Sequence, residues 1–138
     1  MTEPADYLDK SIEQIENIYW NDRKEYISSL AEECHALRKI KIRDLQIRQM
    51  ITLLIQDIGA AVLMPIVLEK MRANILEEDE EDGSCFLNSV EFFSEAIWER
   101  NPEYRTALLQ MLRDREEEIT NSWGWKRYER LLKKMEGS

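Results

Sequence analysis

Six consecutive acidic residues, Glu77 to Asp82, are the densest group of potentially reactive side chains in this sequence. Carboxylates projecting from facing helices can hold Mg²⁺, and the spacing Glu77-Glu78-x-x-Glu81 superficially fits an all-α nucleotide pyrophosphohydrolase. In a run where every position is acidic, however, any acidic pattern would match. Asp82-Gly83 also places the run in a loop rather than on a helix. We therefore expect solvated carboxylates here, not a metal site.

The other reactive residues do not form a catalytic group. Cys34 and His35 are adjacent, so on a helix their side chains diverge by about 100° and cannot act as nucleophile and base. The sequence has one histidine, no Cys-x-x-Cys pair and no glycine-rich phosphate loop. The usual zinc and nucleotide motifs are therefore missing. We predict no catalytic residue, no metal and no cofactor.

The distribution of charge favours a basic protein as the partner. The chain has 138 residues, 28 of them acidic and 19 basic, and a formal net charge of −9. Residues 77–103 contain ten acids and a single base, Arg100, so this window carries the whole net charge. Glu91, Glu95 and Glu99 follow the acidic run at helical spacing and would form one stripe. Nucleic acid is disfavoured as a direct partner because it needs a basic patch.

Aromatic and basic residues near the C-terminus are interpreted as structural rather than as a binding site. Trp123-x-Trp125 could supply an exposed aromatic anchor for a partner. We expect instead that at least one of the two rings closes the end of the helical bundle. Two basic clusters are expected to form solvated helix faces. They are Arg38, Lys39, Lys41, Arg43 and Arg48, and the basic side chains between Lys126 and Lys134.

The sequence predicts an all-α fold, a single irregular bundle of about six or seven helices in which residues 1–138 form one domain. Only four glycines and three prolines interrupt it, and apolar residues recur at helical intervals. Ala60 to Leu68 is apolar on nearly every side and should belong to the central core helix. Asn101-Pro102 is a strong helix start, since a capping residue precedes proline at the first helical position.

The other helix boundaries are predicted from caps and breaks in the apolar pattern. Gly59 is expected to break the chain before the central helix, in which Pro65 marks a kink or a restart. The first three expected helices lie around Leu8 to Tyr19, after a cap at Asn21 or Asp22, and from Asp44 or Leu45 onward. The next two cover Ala60 to Asn74 and Phe86 to Ile97. The sixth begins after Pro102, and a break at Asn121 to Gly124 separates it from the last, which covers Trp125 to Met135.

No segment predicts export or membrane insertion. Met1 to Asp9 is acidic and lacks the apolar stretch of a signal peptide. The longest apolar run without a charge, Ile58 to Leu68, is too short to span a bilayer. Cys34 and Cys85 are too few for a disulfide framework. We expect a cytoplasmic protein with reduced cysteines.

A long pattern extends through most of the chain, from about Tyr26 to Leu112. Its segments are Cys34 to Lys39, Arg43-Asp44-Leu45, Ile51 to Gly59, Leu63 to Glu69, Asn74 to Glu77, Phe86 to Val90 and Trp98-x-x-Asn101-Pro102. This pattern resembles that of contact-dependent growth inhibition (CDI) immunity proteins. After the acidic run the chain has Asp82 to Leu87 where the family usually has Gly-Asp-Leu-Leu, and partner specificity could be encoded there.

The resemblance implies an inhibitor that is not an enzyme. Proteins of this family bind the C-terminal toxin domain delivered by a neighbouring bacterium, and many such toxins are nucleases, often ribonucleases that act on tRNA. Nucleases carry basic clefts, so an acidic surface could cover one. The candidate toxin-binding residues are Glu77, Glu78, Asp79, Glu80, Glu81, Asp82, Glu91, Glu95 and Glu99.

Two other functions stay open from the sequence. One is the Mg²⁺-dependent all-α nucleotide pyrophosphohydrolase considered above. The other is a helical adaptor for an unrelated basic protein, in which case the chain could also form a weak homodimer.

Overall fold

The computed structural model describes residues 7–20 and 28–137. Within these ranges the chain forms nine α-helices and no β-sheet. They are α1 (Ile12–Glu16), α2 (Ser29–Leu37), α3 (Ile47–Ile55), α4 (Ala60–Ala73), α5 (Phe86–Ser89), α6 (Glu95–Arg100), α7 (Pro102–Asp114), α8 (Glu116–Trp123) and α9 (Trp125–Met135), with 3₁₀ helices at Ile42–Asp44 and Val90–Phe92. The all-α prediction is confirmed, although the chain divides into more and shorter helices than expected.

The central helix and the Asn101-Pro102 start lie where the sequence places them. Helix α4 ends within one residue of the predicted Asn74 and continues past Pro65, so the helix does not restart there. Its Leu63, Met64 and Val67 are fully buried. Helix α7 begins at Pro102, as predicted. None of the helices in the described residues is both long and apolar enough to cross a membrane.

The segment from Phe86 to Ile97 is not one helix, and that prediction is wrong. Helix α5 ends at Ser89, a 3₁₀ turn follows, and Phe93 is extended with ψ of 147°. The backbone N–H of Ser94 donates to the carbonyl of Leu54 at the end of α3, 3.2 Å away. The buried ring of Phe93 stacks on Trp98 with a centroid distance of 6.3 Å. These tertiary contacts compensate for the helical hydrogen bonds that are lost at the break. The apolar spacing of this segment therefore does not produce a continuous helix.

Two other helix starts differ from expectation. Helix α2 begins at Ser29, and the hydroxyl of Ser28 accepts a hydrogen bond from the N–H of Ala31 at 3.1 Å. The predicted caps at Asn21 and Asp22 lie outside the described residues. Helix α3 begins at Ile47, after the 3₁₀ turn at Ile42–Asp44. At the C-terminal end, α8 continues to Trp123, and Gly124 alone separates it from α9.

The expectation that Arg38 is solvated is wrong, because this arginine is buried and connects the N-terminal segment to α2. Arg38 is 1% exposed, and its guanidinium donates to the carbonyl of Ile18 at 2.7 Å and to Glu16 at 3.3 Å. The same guanidinium lies 4.3 Å from the centre of the Trp20 ring. Because a buried cation is costly without partners, these contacts hold the segment around Trp20 against α2.

Candidate functional site

The acidic run forms a closed turn between α4 and α5, which we call the acidic loop (residues 77–85). Its two sides meet in an antiparallel bridge between Glu78 and Cys85. The N–H of Asp79 donates to the carbonyl of Ser84 at 2.7 Å, and the N–H of Gly83 donates back to the carbonyl of Asp79 at 3.0 Å. Gly83 has a φ of +75°, which suits glycine and allows the chain to reverse. The loop therefore has a defined backbone conformation.

Asp79 is turned inward, so the expectation that the whole acidic run is solvated is wrong at this residue. It is only 6% exposed. One carboxylate oxygen accepts the N–H groups of Glu81 at 2.9 Å and Asp82 at 3.4 Å, and the other accepts the N–H of Arg48 at 3.1 Å. Burial would by itself raise the pKa of Asp79. The three backbone hydrogen bonds and the nearby Arg48 charge outweigh this effect and hold the pKa below its ordinary value.

Arg48 joins the acidic loop to the start of α3. Its guanidinium donates to a carboxylate oxygen of Glu81 at 2.8 Å and also contacts the side-chain oxygen of Gln46. The amide of Gln46 in turn donates to the other oxygen of Glu81 at 3.2 Å. No sequence signal points to this role of Arg48, because it lies 31 positions before Asp79 and 33 before Glu81.

The remaining acids of the run face outward. Glu78, Glu80, Glu81 and Asp82 are exposed, and Glu77 is half-buried. Asp82 accepts the N–H of Ser84 at 2.9 Å. Within the described part of the chain, the carboxylates of Glu77, Glu78 and Glu80 make no hydrogen bond or ion pair. These three acids, together with Asp82, give the outer surface of the loop its charge.

A cleft of about 230 Å³ separates the acidic loop from the start of α3. Apolar side chains of Leu45 and Ile47 line one side, and residues 77–81 line the other. A long basic side chain combines an apolar stem with a charged head, so this cleft has the complementary chemistry for a lysine or arginine.

The predicted stripe of Glu91, Glu95 and Glu99 is not formed. Glu91 lies in the 3₁₀ turn, whereas Glu95 and Glu99 belong to α6 beyond the extended Phe93. Only Glu95 and Glu99 therefore share a helix. The carboxylate of Glu95 is paired with Arg105 at 2.8 Å. Helical spacing in the sequence does not place these three carboxylates on one face, because the helix is interrupted between them.

The two tryptophans at the junction of α8 and α9 differ in exposure. Trp123 is half-buried under the guanidinium of Arg127, 3.9 Å from the ring centre. Trp125 is 56% exposed, and its ring meets the buried Tyr128 edge to face. Arg127 also contacts the side-chain oxygen of Asn88 on α5. Trp123 packs against the hydrophobic core, so Trp125 is the more exposed of the two rings.

The described residues do not support metal or nucleophile chemistry. Residues 7–20 and 28–137 contain no group of three or more histidine, cysteine or acidic side chains placed to hold a metal ion. Cys34 and Cys85 are both buried, and burial raises the pKa of each thiol. A thiol with a raised pKa is a poorer nucleophile at neutral pH.

Comparison with known families identifies the chain's relatives. A family model described as CDI immunity proteins matches residues 14–108, which cover most of the chain. The matched residues include the end of α1, helices α2 to α6, the acidic loop and the first half of α7. The chain therefore belongs to the CDI immunity protein family. Members of this family neutralise a CDI toxin. No curated protein and no solved structure matches this chain.

Proposed function

We propose that this protein acts in the cytoplasm as the inhibitor of one cognate CDI toxin domain, which it binds through the acidic loop. The observation that carries the proposal is the combination of family membership with a loop whose backbone is fixed and whose Glu78, Glu80 and Asp82 are exposed. Inhibition by binding requires no catalytic group of its own.

The charge of the loop supports a basic toxin surface. The concentration of the chain's net charge in residues 77–103 creates a local negative field, which accelerates association with a positively charged partner. A nuclease is the preferred class of toxin because its substrate cleft must attract phosphate, and a ribonuclease acting on tRNA is favoured by the family resemblance. In this view the acidic loop takes the place of the nucleic acid backbone.

The cleft beside the loop provides a site for a single basic side chain of the toxin. Its apolar wall at Leu45 and Ile47 suits the aliphatic stem, and the rim of acids suits the charged head. Interface energy concentrates in a few such desolvated contacts, whereas exposed charges mainly affect the association rate. Glu95 and Glu99 on α6 are secondary candidates, as is Glu91, which lies in the 3₁₀ turn before that helix.

Co-expression tests this proposal. The probe is the C-terminal domain of the effector encoded immediately upstream, expressed with a tagged copy of this protein. The expected result is a stable complex that survives purification, with the toxin inactive on an RNA substrate. Absence of a complex would contradict the proposal.

A further inference from the structure

The acidic loop is held in place mainly by the buried carboxylate of Asp79. Asp79 accepts hydrogen bonds from the N–H groups of Glu81 and Asp82, which lie on its own loop, and from the N–H of Arg48 on α3. The first two bonds fix the shape of the turn. The third fixes the position of the turn relative to the helix.

Arg48 adds a second connection between the same two elements. Its backbone N–H binds Asp79, and its guanidinium binds Glu81 at 2.8 Å. Neither Asp79 nor the paired face of Glu81 is available to a partner. The contacts of Asp79 and Arg48 fix the loop and so determine where the exposed side chains of Glu78 and Glu80 lie.

We infer that Asp79 is a positioning residue for toxin binding, which holds Glu78 and Glu80 in the arrangement that the toxin contacts. This inference rests on the proposed function. Ordering a flexible loop on association costs free energy, and a loop that is already ordered avoids that cost. Asp79 therefore contributes to affinity by holding the loop in place.

The first test is Asp79→Asn, which replaces one acceptor oxygen by an NH₂ group that faces a backbone N–H. We expect amide hydrogen exchange at Glu81 and Asp82 to accelerate at least tenfold in the free protein. We also expect the upstream toxin domain to dissociate at least tenfold faster. Arg48→Met removes the guanidinium contacts to Glu81, Gln46 and Asp79 but keeps the backbone hydrogen bond to Asp79. It should produce a smaller change in the same direction.

A double-mutant cycle separates positioning from simple loss of stability. If Asp79 acts through Glu80, then Asp79→Asn should change affinity much less in a Glu80→Gln background than in the wild type. Tyr128→Phe removes a buried hydrogen bond to the carbonyl of Leu112 and leaves the hydrogen bonds of Asp79 in place, so it serves as a stability control with unchanged toxin affinity.

The outcomes distinguish this inference from the proposed function. If reversing the charges of Glu78 and Glu80 abolishes binding but Asp79→Asn leaves the dissociation rate unchanged, the positioning role is wrong and the proposed function stands. If the effects of Asp79 and Glu80 are simply additive, the positioning role is also wrong. If the wild-type protein does not bind the toxin domain, the proposed function itself fails.

Discussion

The carboxylate of Asp79 lies at the N-terminus of α3, where it accepts the backbone N–H of Arg48 at 3.1 Å across 31 positions of sequence. A helix N-terminus has unpaired N–H groups and a partial positive charge, so it favours an ionised carboxylate. Together with the ion pair between Arg48 and Glu81, this contact fixes the position of the acidic loop relative to α3. Within the acidic run, Asp79 therefore has a structural role, whereas the neighbouring acids are exposed.

The low pKa of Asp79 predicts a specific loss of stability in acid. A carboxyl group whose pKa is lowered by folding stabilises the folded state above the ordinary aspartate pKa of about 4 and loses that contribution as the pH falls through the lower, folded-state pKa. The wild type should therefore be more stable than Asp79→Asn at pH 7. Urea unfolding at a series of pH values should show this difference shrinking below about pH 4. A difference that stays constant down to pH 3 would contradict the assignment.

Reversing exposed charges on the loop should slow toxin association. Glu78→Lys combined with Glu80→Lys weakens the negative field, because it changes the charge of residues 77–103 from −9 to −5, and it leaves the hydrogen bonds of Asp79 in place. We expect the association rate at low salt to fall at least tenfold and its salt dependence to weaken, as for other steered complexes. Stopped-flow or surface-based kinetics with the upstream toxin domain would measure both quantities.

A matched variant tests whether the association rate depends on the position of the reversed charges or only on the total charge of the protein. Glu32→Lys combined with Glu33→Lys changes the net charge by the same amount at two exposed residues of α2. We expect it to change the association rate less than twofold. Equal slowing by both pairs would show that the acidic loop has no special role.

Much of the fold could be predicted because its signals are local. The central helix α4 was predicted from a continuous apolar segment and the start of α7 from the adjacent pair Asn101-Pro102. Both predictions agree with the structure. The helix predicted over Phe86 to Ile97 failed because its breaks depend on distant partners. Ser94 pairs with Leu54, and no local spacing reveals that bond.

The candidate site was predictable only in outline. The acidic run and its concentration of charge are visible in the sequence, but the inward direction of Asp79 depends on Arg48, which is remote in sequence. The same limit applies to Glu91, which shares helical spacing with Glu95 but not a helix. Charge can be counted from a sequence, whereas the direction of a side chain depends on its tertiary neighbours.

Gly59 should tolerate no side chain. It has a φ of +68°, and a Cβ atom there would lie 2.9 Å from Cδ1 of Ile12. We expect Gly59→Ala to lower the free energy of unfolding by about 2 kcal/mol, from left-handed strain together with overpacking. Chemical denaturation measures the loss. Ile12→Val removes the closest atom, so the double variant should lose less than the sum of the two single variants, and strict additivity would contradict the steric explanation.

The buried Arg38 should contribute far more to the stability of the fold than an exposed arginine does. Arg38→Ala leaves Glu16 and the carbonyl of Ile18 without their partner, and we expect a loss of about 3 kcal/mol of stability. The control is Arg43→Ala, whose pair with Asp9 is solvent-exposed and should contribute less than about 1 kcal/mol. Similar losses for both variants in thermal unfolding would refute the structural role of Arg38.

Growth rescue tests the central claim most directly. Cells that express the upstream toxin domain would receive the wild-type protein, the Glu78→Lys/Glu80→Lys variant or the Glu32→Lys/Glu33→Lys variant, each at matched soluble levels. The account predicts that the wild type and the α2 variant restore growth and that the loop variant does not. Restoration of growth by the loop variant at the same protein level would contradict the assignment of toxin binding to the acidic loop.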